Sequence, residues 1–292
     1  MPTTTDSPDA AHTLQCMEIW NGNAAIQNAV SVPGLDVWIR SRPYQDTDAG
    51  GDVHYVSQCA MGKISRLSVA DVSGHGGAVA EVADWLRKQM RHHINTPNQA
   101  AFARAMNEEF TQRSASGQFA TALLATYFAP KKHLIITNAG HPRPLWYRAD
   151  LGTWQLLDHD SDDLADRLSN LPLGVIEPTD YHQFAVPLTK GDIVIIYTDS
   201  LIEAAKAGST ESGSTTLLGE AGLIQLAAAL DIASPETVGD DLLHAVAAYA
   251  GKDQPDDDET VLVLHHNAVD PPHRGPIHTV KMIGKMMGIG GH

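Results

Sequence analysis

The order in which patterned segments follow one another constrains this chain most. Strand-like runs come in succession around two separate blocks of helical periodicity, so strand and helix do not alternate. Residues 35–40 (LDVWIR) and 53–59 (VHYVSQC) mix apolar and polar positions among β-formers, and residues 64–72 (ISRLSVADV) alternate before turning apolar. Val79, Val82, Trp85, Leu86 and Met90 then recur mostly at spacings of three and four, the stripe of a one-sided helix. Residues 98–113 predict a second helix carrying Phe102, Met106 and Phe110 at four-residue spacing. Strand runs return at 120–128, 134–137, 144–147 and 154–157. Lys190-Gly191-Asp192 turns the chain into 193–197 (IVIIY), apolar enough to be buried on both faces. Helices at 221–230 and 236–250 precede a closing strand at 260–265 (TVLVLH). Such an order predicts an α+β layered sandwich rather than βαβ units.

No repeat or biased linker divides the middle of the chain, so residues 16–266 are expected to form one domain. Residues 1–15 (MPTTTDSPDAAHTLQ) have little to bury and are expected to be a flexible N-terminal tail. Residues 267–292 break at Asp270-Pro271-Pro272 and are expected to be a C-terminal tail. Within it Val280, Ile283 and Met287 share one helical side and offer a contact segment. With 20 Lys and Arg against 35 Asp and Glu, the formal charge is −15, which disfavours a nucleic-acid partner. No apolar run reaches the roughly 18–20 residues of a membrane span. No Lys or Arg precedes Arg40, so a secretory leader is not expected and the localisation implied is cytoplasmic. Two cysteines, Cys16 and Cys59, exclude a disulfide scaffold and a four-cysteine zinc site.

The chemistry resides in the placement of aspartates. Asp52, Asp71, Asp199 and Asp257 each lie at or near the edge of an apolar run, beside small or polar residues. Singly, an Asp before a turn is ordinarily a turn former or cap. Four carboxylates converging on one point would repel unless a cation sat among them. Such hard oxygen donors favour Mg²⁺ or Mn²⁺ over zinc.

Six short motifs occur in a fixed order: Ala49-Gly50-Gly51-Asp52, Ala70-Asp71-Val72-Ser73-Gly74-His75-Gly76, Asn138-Ala139-Gly140-His141-Pro142, Leu171-Pro172-Leu173-Gly174, Tyr197-Thr198-Asp199-Ser200-Leu201-Ile202-Glu203-Ala204 and Asp257-Asp258-Glu259-Thr260. Over residues 35–266 this set resembles the metal-dependent protein phosphatases of type 2C, in their bacterial SpoIIE-type branch. The resemblance implies a four-layer αββα sandwich of two mainly antiparallel sheets flanked by helices, with a site for two divalent cations, Mn²⁺ or Mg²⁺, at one end. It implies Asp52, Asp71, Asp199 and Asp257 as metal and catalytic carboxylates and the Val72 carbonyl as a backbone ligand. It further implies hydrolysis of phosphoserine or phosphothreonine by an activated water, on a phosphoprotein such as a phosphorylated anti-sigma-factor antagonist.

Two departures stand out. Tyr55 occupies the place of an acid three residues after Asp52, which removes a supporting carboxylate. Ser200 replaces the glycine of Thr-Asp-Gly, which predicts a lost or strained glycine-type backbone. His75 and His141 each admit a catalytic and a loop-building role, and for His141 the loop role is the expectation. The competing functions are a catalytically inactive type 2C-like module that binds a phosphoprotein, and a metal phosphoesterase of small molecules. Retention of four mutually repelling acids argues against the first.

Overall fold

In a computed structural model the described residues are 12–13, 19–44, 47–74, 77–113, 117–158, 169–209 and 215–271. The segments at 280–289 and His75, Asp46 and Cys16 lie outside them. Of the expected N-terminal tail only His12–Thr13 is described, and it pairs in parallel with Val30–Ser31.

The alternating runs become two sheets. One has seven strands in the order β1 (His12–Thr13), β3 (Ile26–Val32), β4 (Leu35–Arg42), β13 (Glu259–His266), β12 (Ile193–Tyr197), β9 (Leu145–Arg148) and β10 (Thr153–Leu156). The other has six: β11 (Phe184–Pro187), β8 (His133–Ala139), β7 (Ala120–Phe128), β6 (Ile64–Val72), β5 (Asp52–Cys59) and β2 (Ile19–Gly22). Every pairing except β1–β3 is antiparallel.

Side-chain alternation divides the interior into three apolar layers. Val56, Leu67, Val69 and Leu123 of the six-stranded sheet meet Val37, Ile39, Val194, Ile196 and Leu262 of the seven-stranded sheet. On the outer face of the six-stranded sheet, Val53, Tyr55, Ala70 and Val72 pack against helices α1 (Gly77–His93) and α2 (Gln99–Arg113). The predicted stripe is the buried one: Leu86 and Met90 of α1, and Phe102, Met106 and Phe110 of α2, are enclosed. Each such side chain contributes about 1.5–3 kcal/mol of transfer free energy. On the other outer face Ile195, Tyr197, Val261 and Val263 pack against α3 (Gly219–Ala227) and α4 (Val238–Ala250). The result is the expected αββα order. Among the described residues no helix is long and apolar enough to cross a membrane.

Strands β2, β3 and β11 were not predicted by periodicity. In β3, Gln27 and Asn28 interrupt the apolar alternation, and the strand is specified by its long register with β4. Strand β11 is a four-residue edge strand with little to bury.

Candidate metal centre

Two antiparallel strand pairs, the β5–β6 hairpin of one sheet and β12–β13 of the other, present their ends to the same end of the sandwich. In the first, Asp52 begins β5 and stands opposite Asp71 near the end of β6. Both alternate with residues that face α1, so both side chains lie on the inter-sheet side. In the second, Tyr197 ends β12 opposite Val261 of β13, and the chain continues into Thr198 and Asp199. Asp257 lies two residues before β13 begins.

A hydroxyl chain joins the two strand pairs. Thr198 Oγ1 donates to Asp52 Oδ2 at 2.9 Å and accepts the Thr260 N–H at 2.9 Å, while Ser41 and Thr260 share a hydrogen bond of 2.8 Å. Asp52 Oδ1 is buried and has no hydrogen-bond partner. Burial, then the nearby charges of Asp71 and Asp258, push the Asp52 carboxyl well above the usual carboxylate range against the pull of the two threonines.

Asp71 is the hub of the acidic group. Burial comes first, followed by repulsion from Asp199, Asp257, Asp258 and Glu203, and together they raise its carboxyl to about 8. Asp199 is raised to about 6 by burial and by Glu203 and Asp257. The structure therefore brings Asp52 to Asp71, and Asp71 to Asp199 and Asp257. Asp257 itself is exposed. Among the described residues no three His, Cys, Asp or Glu side chains stand close enough together to hold an ion. The acids form an open ring rather than a closed cage.

The backbone beside them is shaped by two glycines. A Cβ on Gly50 would lie 2.4 Å from the Asp258 carboxylate, and one on Gly51 would lie 2.9 Å from the Val72 carbonyl oxygen. Asp258 fills the space so created and accepts the N–H groups of Gly51 at 2.5 Å and Tyr44 at 2.6 Å. Thus the second Asp of Asp257-Asp258 holds the Gly50–Gly51 turn, and the first is left toward the ring.

Oxygen donors alone, a buried carboxylate oxygen without a partner and raised carboxyls fit hard divalent cations. A cavity of about 200 Å³ adjoins the ring, lined by Ser200, Glu203, Asp257, Arg42 and Lys252 among others.

The departures resolve differently. Tyr55 faces α1 and α2, and burial raises its hydroxyl. His54, on the Asp52 face, is buried with both ring nitrogens unpartnered. Burial, then Arg87, lowers its pKa to about 4. At Ser200 the glycine-type backbone is lost rather than strained: the residue sits in a 3₁₀ turn, Asp199–Leu201, and is not among the residues of positive φ. His141 builds the loop, as expected. Its N–H binds Asn138 Oδ1 at 2.7 Å, its carbonyl accepts from Asn138 Nδ2, and its Nδ1 pairs with Thr121. Cys59 ends β5, at the opposite end of the strand from Asp52. Sequence reasoning missed Thr198, Thr260, Asp258 and Glu203. Each lies inside a matched motif, which was the only signal available.

These features agree with comparisons to known proteins. The chain is 26% identical over 151 residues to the phosphoserine phosphatase RsbU of Bacillus subtilis, an alignment covering 51% of this chain and 41% of that protein. It thus spans about two-fifths of the length of that curated relative. The crystal structure of the RsbU and RsbW domains of Rv1364c from Mycobacterium tuberculosis superposes with a TM-score of 0.68 at 26% identity, covering 92% of this chain and 72% of that one. The catalytic domain of the serine/threonine phosphatase PstP, solved with two manganese ions, shares the fold at a TM-score of 0.52 and 16% identity, covering 79% and 97% of the chains. The family profile for Stage II sporulation protein E (SpoIIE) matches residues 62–267. Asp71, Asp199 and Asp257 fall inside that match and Asp52 ten residues before it, yet the β5–β6 register places Asp52 in the same ring. On a type 2C phosphatase fold with its acids at one end of the sandwich, the chain belongs to the SpoIIE family.

Proposed function

We propose that this protein is a metal-dependent phosphatase acting on phosphoserine or phosphothreonine of a regulatory protein. The observation that carries the reading is the opposition of Asp52 and Asp71 across β5–β6, with Asp199 and Asp257 close enough to repel Asp71. Asp52, Asp71, Asp199, Asp257 and the Val72 carbonyl would hold two divalent cations, Mn²⁺ or Mg²⁺. When bound, such ions supply charge neutralisation of a phosphate and a lowered pKa for water.

The chain's own groups set the rest. Thr198 and Thr260 fix the Asp52 carboxylate in one orientation. Asp258 clamps the Gly51 backbone, so the Val72 carbonyl meets the ring without an intervening side chain. Burial of Asp52 and Asp71 keeps bulk water from screening the field they create. Among the described residues no thiol or imidazole is placed as a nucleophile, so a direct attack of water on phosphorus is the chemistry these residues suit. The relatives support a phosphoprotein as substrate, and the family resemblance implies a phosphorylated anti-sigma-factor antagonist as its partner class.

The test is hydrolysis of p-nitrophenyl phosphate by the purified protein with Mn²⁺ or Mg²⁺, beside Asp71→Asn and Asp199→Asn. Turnover that needs the ion and is nearly abolished in both variants is expected. A wild-type protein that binds Mn²⁺ but releases no phosphate from any phosphomonoester would instead be an inactive binding module.

A further inference from the structure

Three of the six exposed large apolar side chains among the described residues, Phe119, Val175 and Ile176, belong to two segments that meet beside the acidic ring. Phe119 directly precedes β7 and stands opposite Ser73, two residues beyond Asp71. Its carbonyl accepts the Ser73 N–H at 2.9 Å, and its N–H donates to Ser73 Oγ at 3.1 Å. In the β6–β7 register Val72 faces Ala120 and Asp71 faces Thr121. Ala120 and Ala122 point to α1 and α2, so Thr121 and, one pleat further out, Phe119 share the face of the Asp71 carboxylate. The sandwich ends there, and Phe119 is 39% exposed at the rim of the site.

The second segment is tied to the first. Ala120 and Leu173 exchange two backbone hydrogen bonds of 2.9 and 2.8 Å, and a Cβ on Gly174 would sit 3.2 Å from the Gln118 carbonyl oxygen. Val175 and Ile176 follow, with the Ile176 carbonyl held by Asn107 Nδ2 at 2.9 Å and Thr179 Oγ1 at 2.6 Å. The two segments are therefore held together by main-chain bonds, and Glu177, which accepts from Asn107 Nδ2, is the charged residue that follows Ile176.

We propose that Phe119, flanked by Val175 and Ile176, receives an apolar side chain of the phosphoprotein substrate two or three residues from the phosphoserine. The inference rests on the phosphatase reading above. Ser73 lies about 7 Å along the strand from Asp71. An extended substrate spans a similar distance in two residues, so one substrate segment reaches both. Single exposed apolar residues need no explanation, but apolar side chains on two segments bonded to each other and to the strand of Asp71 select for partner chemistry.

The experiment uses p-nitrophenyl phosphate and a set of Ser- and Gly-rich phosphoserine peptides carrying one Leu at each position from four residues before to four after the phosphoserine. The proteins are wild type, Phe119→Ser, Phe119→Leu and Leu151→Ser, all with Mn²⁺. In wild type, Leu at one or two positions should raise kcat/KM about tenfold, through KM. Phe119→Ser should erase that preference while leaving p-nitrophenyl phosphate turnover unchanged. Phe119→Leu should restore most of it, and Leu151→Ser should behave as wild type. Peptides turned over without any Leu preference, or a preference that survives Phe119→Ser, would overturn the proposal and leave the phosphatase reading intact. No turnover of either substrate by wild type would overturn both. A wild-type dimer that Phe119→Ser dissociates, with peptide selectivity unchanged, would make the patch a self-association face and the proposal wrong.

Discussion

Replacing Asp71 with Asn should make the metal-free protein more stable, and the effect should depend on pH in a defined direction. Burial and the surrounding acids raise the Asp71 carboxyl from 3.8 to about 8 in the folded chain. A raised pKa means the folded state binds this proton more tightly than the unfolded state. Its contribution to stability is complete below about pH 4 and is lost as pH rises toward 8. At pH 7 the deficit is at most about 4 kcal/mol, from roughly three pH units at 1.36 kcal/mol each. Asn keeps a dipole where the carboxyl was, so about half that, near 2 kcal/mol, should appear as added stability. In a domain of this size that is roughly 4–8 °C in Tm. The assay is thermal and urea unfolding of wild type and Asp71→Asn in EDTA at pH 7.5 and pH 5. The variant should lead at pH 7.5, and the gap should shrink by more than half at pH 5. The Asp52 carboxyl, which the Asp71 charge raises, should relax in the variant and add to the difference in the same direction, while titrating groups away from the site cancel. With saturating Mn²⁺ the order should reverse, since a ligand at a hundred times its Kd adds about 2.7 kcal/mol only to the chain that binds it. A variant no more stable than wild type in EDTA at pH 7.5 would refute the electrostatic reasoning.

Thr198→Val should cost about 1–3 kcal/mol in urea denaturation, because it strands the Asp52 carboxylate and the Thr260 N–H together, while Thr198→Ser should lose far less. Gly50→Ala should lower Tm and weaken Mn²⁺ binding measured by calorimetry, since its Cβ would displace the Asp258 carboxylate from the Gly51 and Tyr44 N–H groups. Acid sensitivity should trace partly to His54, whose lowered pKa of about 4 means stability held above about pH 6.5 is lost as pH falls toward 4. His54→Leu should therefore shift acid unfolding, followed by far-UV circular dichroism, to lower pH; an unshifted midpoint would assign that sensitivity elsewhere.

Much of the architecture was legible because apolar pattern and burial coincide. Residues 64–72, 120–128 and 193–197 are strands with the predicted bounds, since each is enclosed on both faces by a sheet and a helix layer. Strands such as β3 follow from tertiary pairing and leave a weak local signature. The four aspartates could be read as a set from their motifs, but the division of labour between Asp257 and Asp258 could not. Adjacent residues look alike in sequence, and only the Gly50–Gly51 turn decides which carboxylate is captured. Thr198 and Thr260 were invisible for a related reason: a threonine at a strand end is an ordinary β-former until a carboxylate from the other sheet reaches it. At Ser200 the sequence left two outcomes open, a lost or a strained glycine-type backbone, and the 3₁₀ turn shows the first.

The pairing of β4 with β13 has a consequence for how the protein comes into being. Residues 35–42 are made early and must wait for residues 259–266 before they gain that neighbour. The β5–β6 hairpin can close locally, since its strands are joined by a short connection. Its Asp52 cannot acquire Thr198 or the Thr260 hydroxyl until β12 and β13 have paired and docked. A growing chain lacking the last strand therefore holds half of its acids in a preformed hairpin and none of the surroundings that make them a site. Long-range closure of this kind slows folding. It also withholds the assembled acidic site until synthesis has passed residue 266.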